Sequence, residues 1–171
     1  VEDSLASVQY IRGKMHQRET SLTIRLNYNI TPDFTIQYYG MPFVSAGDYS
    51  HYRKIVDPRA DDYTRQYLEF SSNQISSYRE DDDLHYSIDE NRDGRRDYSF
   101  CNPDFNRFEY RSNLVARWEY RPGSTVYLVW SFAQNRYKND GTYSFTHDMG
   151  EIFKVQPHMV FLFKLSYRFG L

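Results

Sequence analysis

Between Arg107 and Phe132 the chain alternates in hydropathy with a period of two, broken once by Arg121-Pro122-Gly123-Ser124. Phe108, Tyr110, Ser112, Leu114, Ala116, Trp118 and Tyr120 fall on one side of an extended strand. Arg107, Glu109, Arg111, Asn113, Val115, Arg117, Glu119 and Arg121 fall on the other. Successive strand side chains point to opposite faces, so this run predicts one mostly apolar and one charged face. After the turn, Val126, Leu128, Trp130 and Phe132 continue the apolar row. The same alternation occurs over residues 21–30, through Leu22, Ile24, Leu26, Tyr28 and Ile30. It recurs over 158–171, through Met159, Phe161, Phe163, Leu165, Tyr167 and Phe169. Weaker strands are expected over 5–17, from Phe34 to about Phe43, over 65–79 and over 84–88, about eight in all. No helix of 3.6-residue period stands out.

The connections fall into two sets. Turn signals at 31–33, 80–83 and 121–124 are short, with 17–20 a further polar turn near the start. The pattern dissolves over about 44–64, 89–106 and 136–157, which read as long loops. Short and long connections alternate, and consecutive antiparallel strands put alternate connections at opposite ends. An outer-membrane barrel has short periplasmic turns and long extracellular loops. Several runs also reach the roughly 9–11 residues that a spanning strand requires. A one-residue slip of 107–121 would turn its arginines to lipid, at up to about 2–4 kcal/mol each near the midplane. The expected fold is therefore all-β: an antiparallel transmembrane β-barrel, with residues 1–171 forming its C-terminal part. Leu114, Trp118, Leu128, Trp130, Phe161 and Phe163 are expected to face lipid. Arg107, Glu109, Arg111, Asn113, Arg117 and Glu119 are expected to face the lumen.

Composition adjusts this picture only slightly. Mean hydropathy is −0.79 although 18% of residues are aromatic, with Tyr used 17 times and Phe 12 times. Polar lumen residues offset lipid-facing ones in any barrel average. A formal charge of −2 gives no reason to expect nucleic acid. The start, VEDSLASVQY, has neither a basic end nor an apolar segment, so any secretory leader is expected to lie outside this sequence. Cys101 is the only cysteine, which excludes an internal disulfide, and no activating base adjoins it in sequence. LSYRF at Leu165–Phe169 is similar to the terminal signal read by barrel-insertion machinery, although Gly170 and Leu171 follow the aromatic.

Several motifs resemble one family. NPDFN at Asn102–Asn106, RSN at Arg111–Asn113, RWEYRPGST at Arg117–Thr125 and Val129-Trp130 are similar to the C-terminal region of large bacterial outer-membrane proteins. RLNYNITP at Arg25–Pro32, YYGMPF at Tyr38–Phe43, and Gly47, Tyr49, Pro58 and Ala60 fit the same pattern upstream. Members carry an N-terminal family-9 carbohydrate-binding-like domain and a C-terminal domain of unknown function expected to be a β-barrel. The resemblance implies localisation in the outer membrane of a Gram-negative bacterium and an upstream carbohydrate-binding-like domain, in the same or a separate chain. It implies no catalytic residue.

One loop carries candidate metal chemistry. Asp89, Asn91, Asp93 and Asp97 stand at the first, third, fifth and ninth positions of a run that has Gly94 at the sixth and Arg95 between. This follows the first part of a calcium loop, without the final bidentate Glu or flanking helices of an EF-hand. Ca2+ is the one cofactor expected, and an Asp-Gly turn without an ion is the simpler reading. The five histidines show no metal spacing. Tyr49, Tyr52, Tyr63 and Tyr143 are loop tyrosines that could stack on sugars. The acidic runs at 57–62 and 81–83 read as solvated faces rather than paired catalytic carboxylates, and no nucleophile elbow or phosphate loop occurs. The expected function is membrane anchoring with glycan-related solute binding or passage, without enzymatic activity. The alternatives are a soluble secreted calcium-binding β-sandwich acting in adhesion, or a subunit of a larger outer-membrane complex.

Overall fold

The structure is a computed structural model and describes residues 8–152 and 154–169. It is all-β, 63% strand and 7% helix, with antiparallel sheets. Ten strands and two helices occur among the described residues: β1 (Ile11–Ser21), β2 (Ile24–Thr31), β3 (Phe34–Ile55), α1 (Tyr63–Gln66), β4 (Tyr67–Glu69), β5 (Ile75–Glu80), β6 (Asp83–Ile88), β7 (Tyr98–Cys101), β8 (Phe105–Arg121), β9 (Ser124–Lys138), α2 (Phe145–Ile152) and β10 (His158–Ser166). The main sheet has the order β1-β3-β8-β9-β10, with β2 and β4 also paired to β3, while β5-β6-β7 form a separate sheet. The main sheet is open among the described residues, its path running from β1 at one end to β10 at the other. The chain divides into two compact units. One holds Val1–Gln17, Gly47–Phe105 and Asn139–Gly141; the other holds Arg18–Ala46, Asn106–Lys138 and Thr142–Leu171.

In the second unit, antiparallel pairing is fixed residue by residue. Leu114 pairs with Trp130 and Trp130 with Phe161; Ala116 pairs with Leu128 and Leu128 with Phe163. Leu26 pairs with Tyr38, and Tyr28 with Ile36. The Glu119 N–H donates to the Asp33 carbonyl, while Val44 packs on Phe108, so β3 and β8 also run in opposite directions. Two-residue turns close β2–β3 at Pro32-Asp33 and β8–β9 at Pro122-Gly123. Pro122 pre-sets the first turn position, and Gly123 takes φ +80°, as a type II turn requires. The Arg168 N–H donates to Ser124 Oγ, at 3.0 Å, so the C-terminal segment ends beside this short turn.

Helix α2 covers one end of the apolar face. Phe145, Met149 and Ile152 recur at helical spacing and pack with Tyr143 and Tyr110 around Val44 and Phe108. Beneath them the Asn106 side-chain amide donates to Asp148 Oδ2 at 3.0 Å and to the Thr142 carbonyl. These partners satisfy two buried polar side chains that would otherwise oppose burial.

The first unit has its own core, Tyr52, Phe70 and Ile88, surrounded by Ile11, Tyr49, Ile75, Tyr86, Tyr98 and Phe100. Its β5–β6 hairpin turns through Asp81 (φ 49°) and Asp82 (φ 69°). Two consecutive left-handed residues make a type I′ turn, the hairpin form that matches strand twist.

Several expected boundaries are corrected. Residues 17–20 are strand within β1 rather than a turn, because the neighbouring β3 supplies backbone partners that a polar composition does not reveal. The loop expected over 44–64 is strand as far as Ile55, and β7 lies inside the loop expected over 89–106. The strand expected over 65–79 is α1, β4 and β5, interrupted at 70–74. The 80–83 turn belongs to the separate sheet, so it joins no two main-sheet strands. Helix α2 stands in the loop expected over 136–157; eight residues offer too few turns for its period to dominate a longer window. The strand expected over 5–17 begins at Ile11, and its residues 5–7 lie outside the described residues, as do Gly170 and Leu171 of the one expected over 158–171.

Phe108 is 1% exposed. Replacing it by Ala is expected to cost about 3–5 kcal/mol through lost burial and the cavity left behind, read from the midpoint of a denaturant titration. At the I′ turn, Asp82→Gly is expected to stabilise the β5–β6 hairpin by about 0.5–1 kcal/mol, since glycine takes φ > 0 without a Cβ penalty. Slower amide exchange in β5 and β6 is the readout; faster exchange would contradict it.

Candidate functional site

The second unit presents two chemically distinct faces, built by strand alternation and aligned by register. Reading across the strands, Ser112, Phe132 and Met159 form one row, Leu114, Trp130 and Phe161 the next, then Ala116, Leu128 and Phe163, then Trp118, Val126 and Leu165. Ile24, Leu26 and Tyr28 stand opposite Gly40, Tyr38 and Ile36 in the same alternation. Thus Leu114, Trp118, Leu128, Trp130, Phe161 and Phe163 share one face. Most of it is bare: Phe161 and Phe163 are each 66% exposed, Trp118 52% and Leu128 47%. Trp130 and Phe161 stack nearly parallel, with centroids 5.8 Å apart. At the short-turn end, aromatic pairs accumulate as Trp118–Tyr120 and Tyr167–Phe169. From Tyr110 to Tyr120 a strand covers about 33 Å, or roughly 25 Å in height once tilted as in a membrane barrel.

The opposite face carries Arg107, Glu109, Arg111, Asn113, Arg117 and Glu119 in one row on β8. Glu109 accepts from Arg107 and lies 3.4 Å from Arg111 Nη2. Glu119 accepts from Arg117 Nη2 at 2.9 Å and from the Gly123 N–H at 2.9 Å, which ties the charged row to the turn. Arg117 Nε also donates to the Tyr127 hydroxyl, and Lys164 lies over the Tyr127 ring. Asn113 stands opposite Ser131. Tyr127 is the member of this face that sequence pattern did not single out, because its ring reads as apolar while its hydroxyl serves the arginine. Glu109 pairs with Arg107 and Arg111, and Glu119 with Arg117, beyond Asn113 and Val115, so the row is internally paired rather than one continuous positive track.

The Asp89–Asp97 loop joins β6 to β7 and closes through the Asp97 N–H to the Ile88 carbonyl, at 2.9 Å. Its side-chain oxygens face inward to the backbone. Asp89 accepts from the N–H groups of Asp93 and Gly94, Asn91 from that of Asp93, Asp93 from that of Arg95, and Asp97 from that of Glu90. Asp89, Asn91, Asp93, Arg95 and Asp97 are therefore brought into one compact turn. Among the described residues no group of three or more His, Cys, Asp or Glu side chains is arranged as a metal centre. Glu90 takes part differently, bound by Lys54 Nζ at 2.9 Å and by the Tyr98 hydroxyl at 3.1 Å. Burial, with the Glu90 carboxylate beside it, pushes the Tyr98 phenol well above its ordinary range.

No family model, curated protein or solved structure matches this chain. The functional reading therefore stands on the two faces themselves, with the motif resemblance beside them.

The loop geometry predicts its own perturbation. Asp89→Ala removes the acceptor of the Gly94 N–H and one of the two acceptors of the Asp93 N–H, and amide exchange is expected to accelerate at Gly94 and, to a smaller extent, at Asp93 while β8 and β9 stay protected. Unchanged exchange at both amides would show that the carboxylate does not hold the turn.

Proposed function

We propose that this chain is part of an outer-membrane β-barrel, a membrane anchor with no catalysis of its own. The observation that carries this reading is the alignment of exposed apolar side chains into continuous rows, opposite a paired Arg/Glu row. Water does not favour so large an uncovered apolar surface, whereas hydrocarbon accepts it. In this reading Leu114, Trp118, Leu128, Trp130, Phe161 and Phe163 face lipid and the arginine–glutamate row faces a polar lumen. Trp and Tyr at the short-turn end suit a membrane interface, where an apolar ring carries a polar edge.

The main-sheet connections support the same orientation. Two short turns, 32–33 and 122–123, alternate along the antiparallel path with two long connections, 56–104 and 139–157. In this reading the short turns are periplasmic and the long connections extracellular. Lipid offers no partner for unpaired backbone groups, so a spanning sheet has to be closed. Further strands, from an upstream part of the same polypeptide or from another chain, complete the ring between β10 and the β1–β2 edge. The barrel reading implies the insertion machinery as a partner, and the motif resemblance alone suggests the upstream carbohydrate-binding-like domain. The lumen row serves first as ion-paired filling, and any glycan-related passage depends on the pore formed after closure.

Site-specific labelling tests this orientation in a Cys101→Ser background. Leu128→Cys and Phe163→Cys, reconstituted in lipid vesicles, are expected to react with a lipid-soluble maleimide and resist a charged one. Asn113→Cys and Glu109→Cys are expected to show the reverse preference. A chain that stays monomeric without detergent, and labels equally on both faces with the charged reagent, would refute the membrane reading.

A further inference from the structure

The first unit contains a cavity of about 490 Å³ that lies outside the two sheet faces. Its walls include Tyr49, Tyr52, Tyr98 and Phe100, with Gln9 and Ser99 as polar side chains at the lining. Among the described residues no lining side chain carries a formal charge. Gly13 opens one wall: a Cβ there would stand 3.1 Å from Tyr52 Cε1 and 3.2 Å from Tyr49 Cδ1. The volume falls in the range of pockets that enclose small organic ligands.

Two features distinguish it from a packing gap. The first is its make-up. An aliphatic void would stay dry and unselective, whereas this one offers several tyrosine rings with polar groups beside them. The second is Tyr52, which is only 8% exposed and whose buried hydroxyl, with Tyr86 beside it, makes no hydrogen bond of good geometry among the described residues. Burial, with Tyr86 and Asp104 adding to it, raises that phenol far above its ordinary range, so it stays a neutral donor and acceptor. A buried hydroxyl without a well-formed hydrogen bond opposes folding. The cavity that the same ring lines offers room for a polar partner.

We infer that this cavity is a binding site for a neutral saccharide unit, seated against the Tyr49, Tyr52, Tyr98 and Phe100 rings. A pyranose has the matching amphipathic form. Its C–H face lies on aromatic surface, while its hydroxyl rim meets Gln9, Ser99 and the tyrosine hydroxyls. The uncharged lining favours neutral sugars over uronic acids or sugar phosphates, because a charged ligand would lose its hydration without gaining a counter-charge. The site does not depend on the membrane reading, since every lining residue belongs to the first unit.

The test is saturation-transfer NMR on the full chain in detergent. The probes are cellobiose, maltose and lactose, with cellobiouronic acid as the charged control and N-acetyl-tyrosinamide as an aromatic peptide mimic. At least one neutral disaccharide is expected to bind at millimolar concentration and the uronic acid at least tenfold more weakly. Gly13→Val, which fills the cavity from β1, and Tyr49→Ala, which removes one wall, are each expected to weaken binding at least tenfold. Strand content by circular dichroism checks that each variant folds, and either folded variant suffices. Tyr52→Phe is expected to raise the unfolding midpoint while weakening binding, a combination that a purely structural tyrosine would not produce. Binding of no disaccharide, binding of the tyrosine amide alone, or affinity unchanged in a folded variant would overturn the assignment.

Discussion

The second unit depends on one constraint: period-two side chains must keep two incompatible environments apart across every strand of its sheet. On β8 the apolar residues and the arginine–glutamate row occupy alternate positions, so a shift of one residue exchanges the faces completely. Register is therefore held by side-chain chemistry as well as by backbone pairing. The same demand passes from β8 to β9 and on to β10, where Leu114, Trp130 and Phe161 align. Glu119 joins the two levels of organisation, since its carboxylate pairs with Arg117 and accepts the N–H of Gly123 in the turn that sets the register.

That constraint also gives meaning to the edges. Among the described residues the sheet path ends in the edge strands β1 and β10, and much of its apolar face has no covering layer. In the barrel proposed above, closure would pair the outer strands and give the apolar rows a compatible solvent. Helix α2 marks where the bare surface ends: Val44 and Phe108 continue the apolar face but are covered there by Phe145, Met149 and Ile152. The charged face requires no cover, since its ions already compensate one another.

The long connection from β3 to β8 is a second structural theme. It is built from aromatic clustering rather than from alternation. Tyr52, Phe70 and Ile88 gather rings from β3, β6 and β7 and aliphatic side chains from β1 and β5, although they lie far apart in sequence. Aromatic cores bury large areas but leave irregular spaces, and the Gly13 cavity lies among those rings. The acidic Asp89–Asp97 turn adds local rigidity, with its carboxylates occupied by backbone N–H groups. A supposed loop is thus a folded element, able to carry recognition separately from the sheet.

Sequence alone determined the all-β class, the antiparallel connections, the apolar rows shared by β8, β9 and β10 and the charged row of β8. Those features are local: alternation is visible in one strand, and Pro122-Gly123 or Pro32-Asp33 announces a turn by its own backbone preferences. The positions of Leu128 and Arg117 on opposite faces follow from counting. Tertiary structure decided which strands pair, that β3 runs on to Ile55, and that 17–20 is strand rather than turn. It decided also that 80–83 closes a separate sheet and that Asp148 is buried beside Asn106. The cavity at Gly13 was likewise illegible, since Tyr49, Tyr52 and Tyr98 share no period. The physical reason is the same in each case. Alternation records what one strand requires of its surroundings, whereas pairing, burial and enclosed space are set by residues that meet only after the chain has folded.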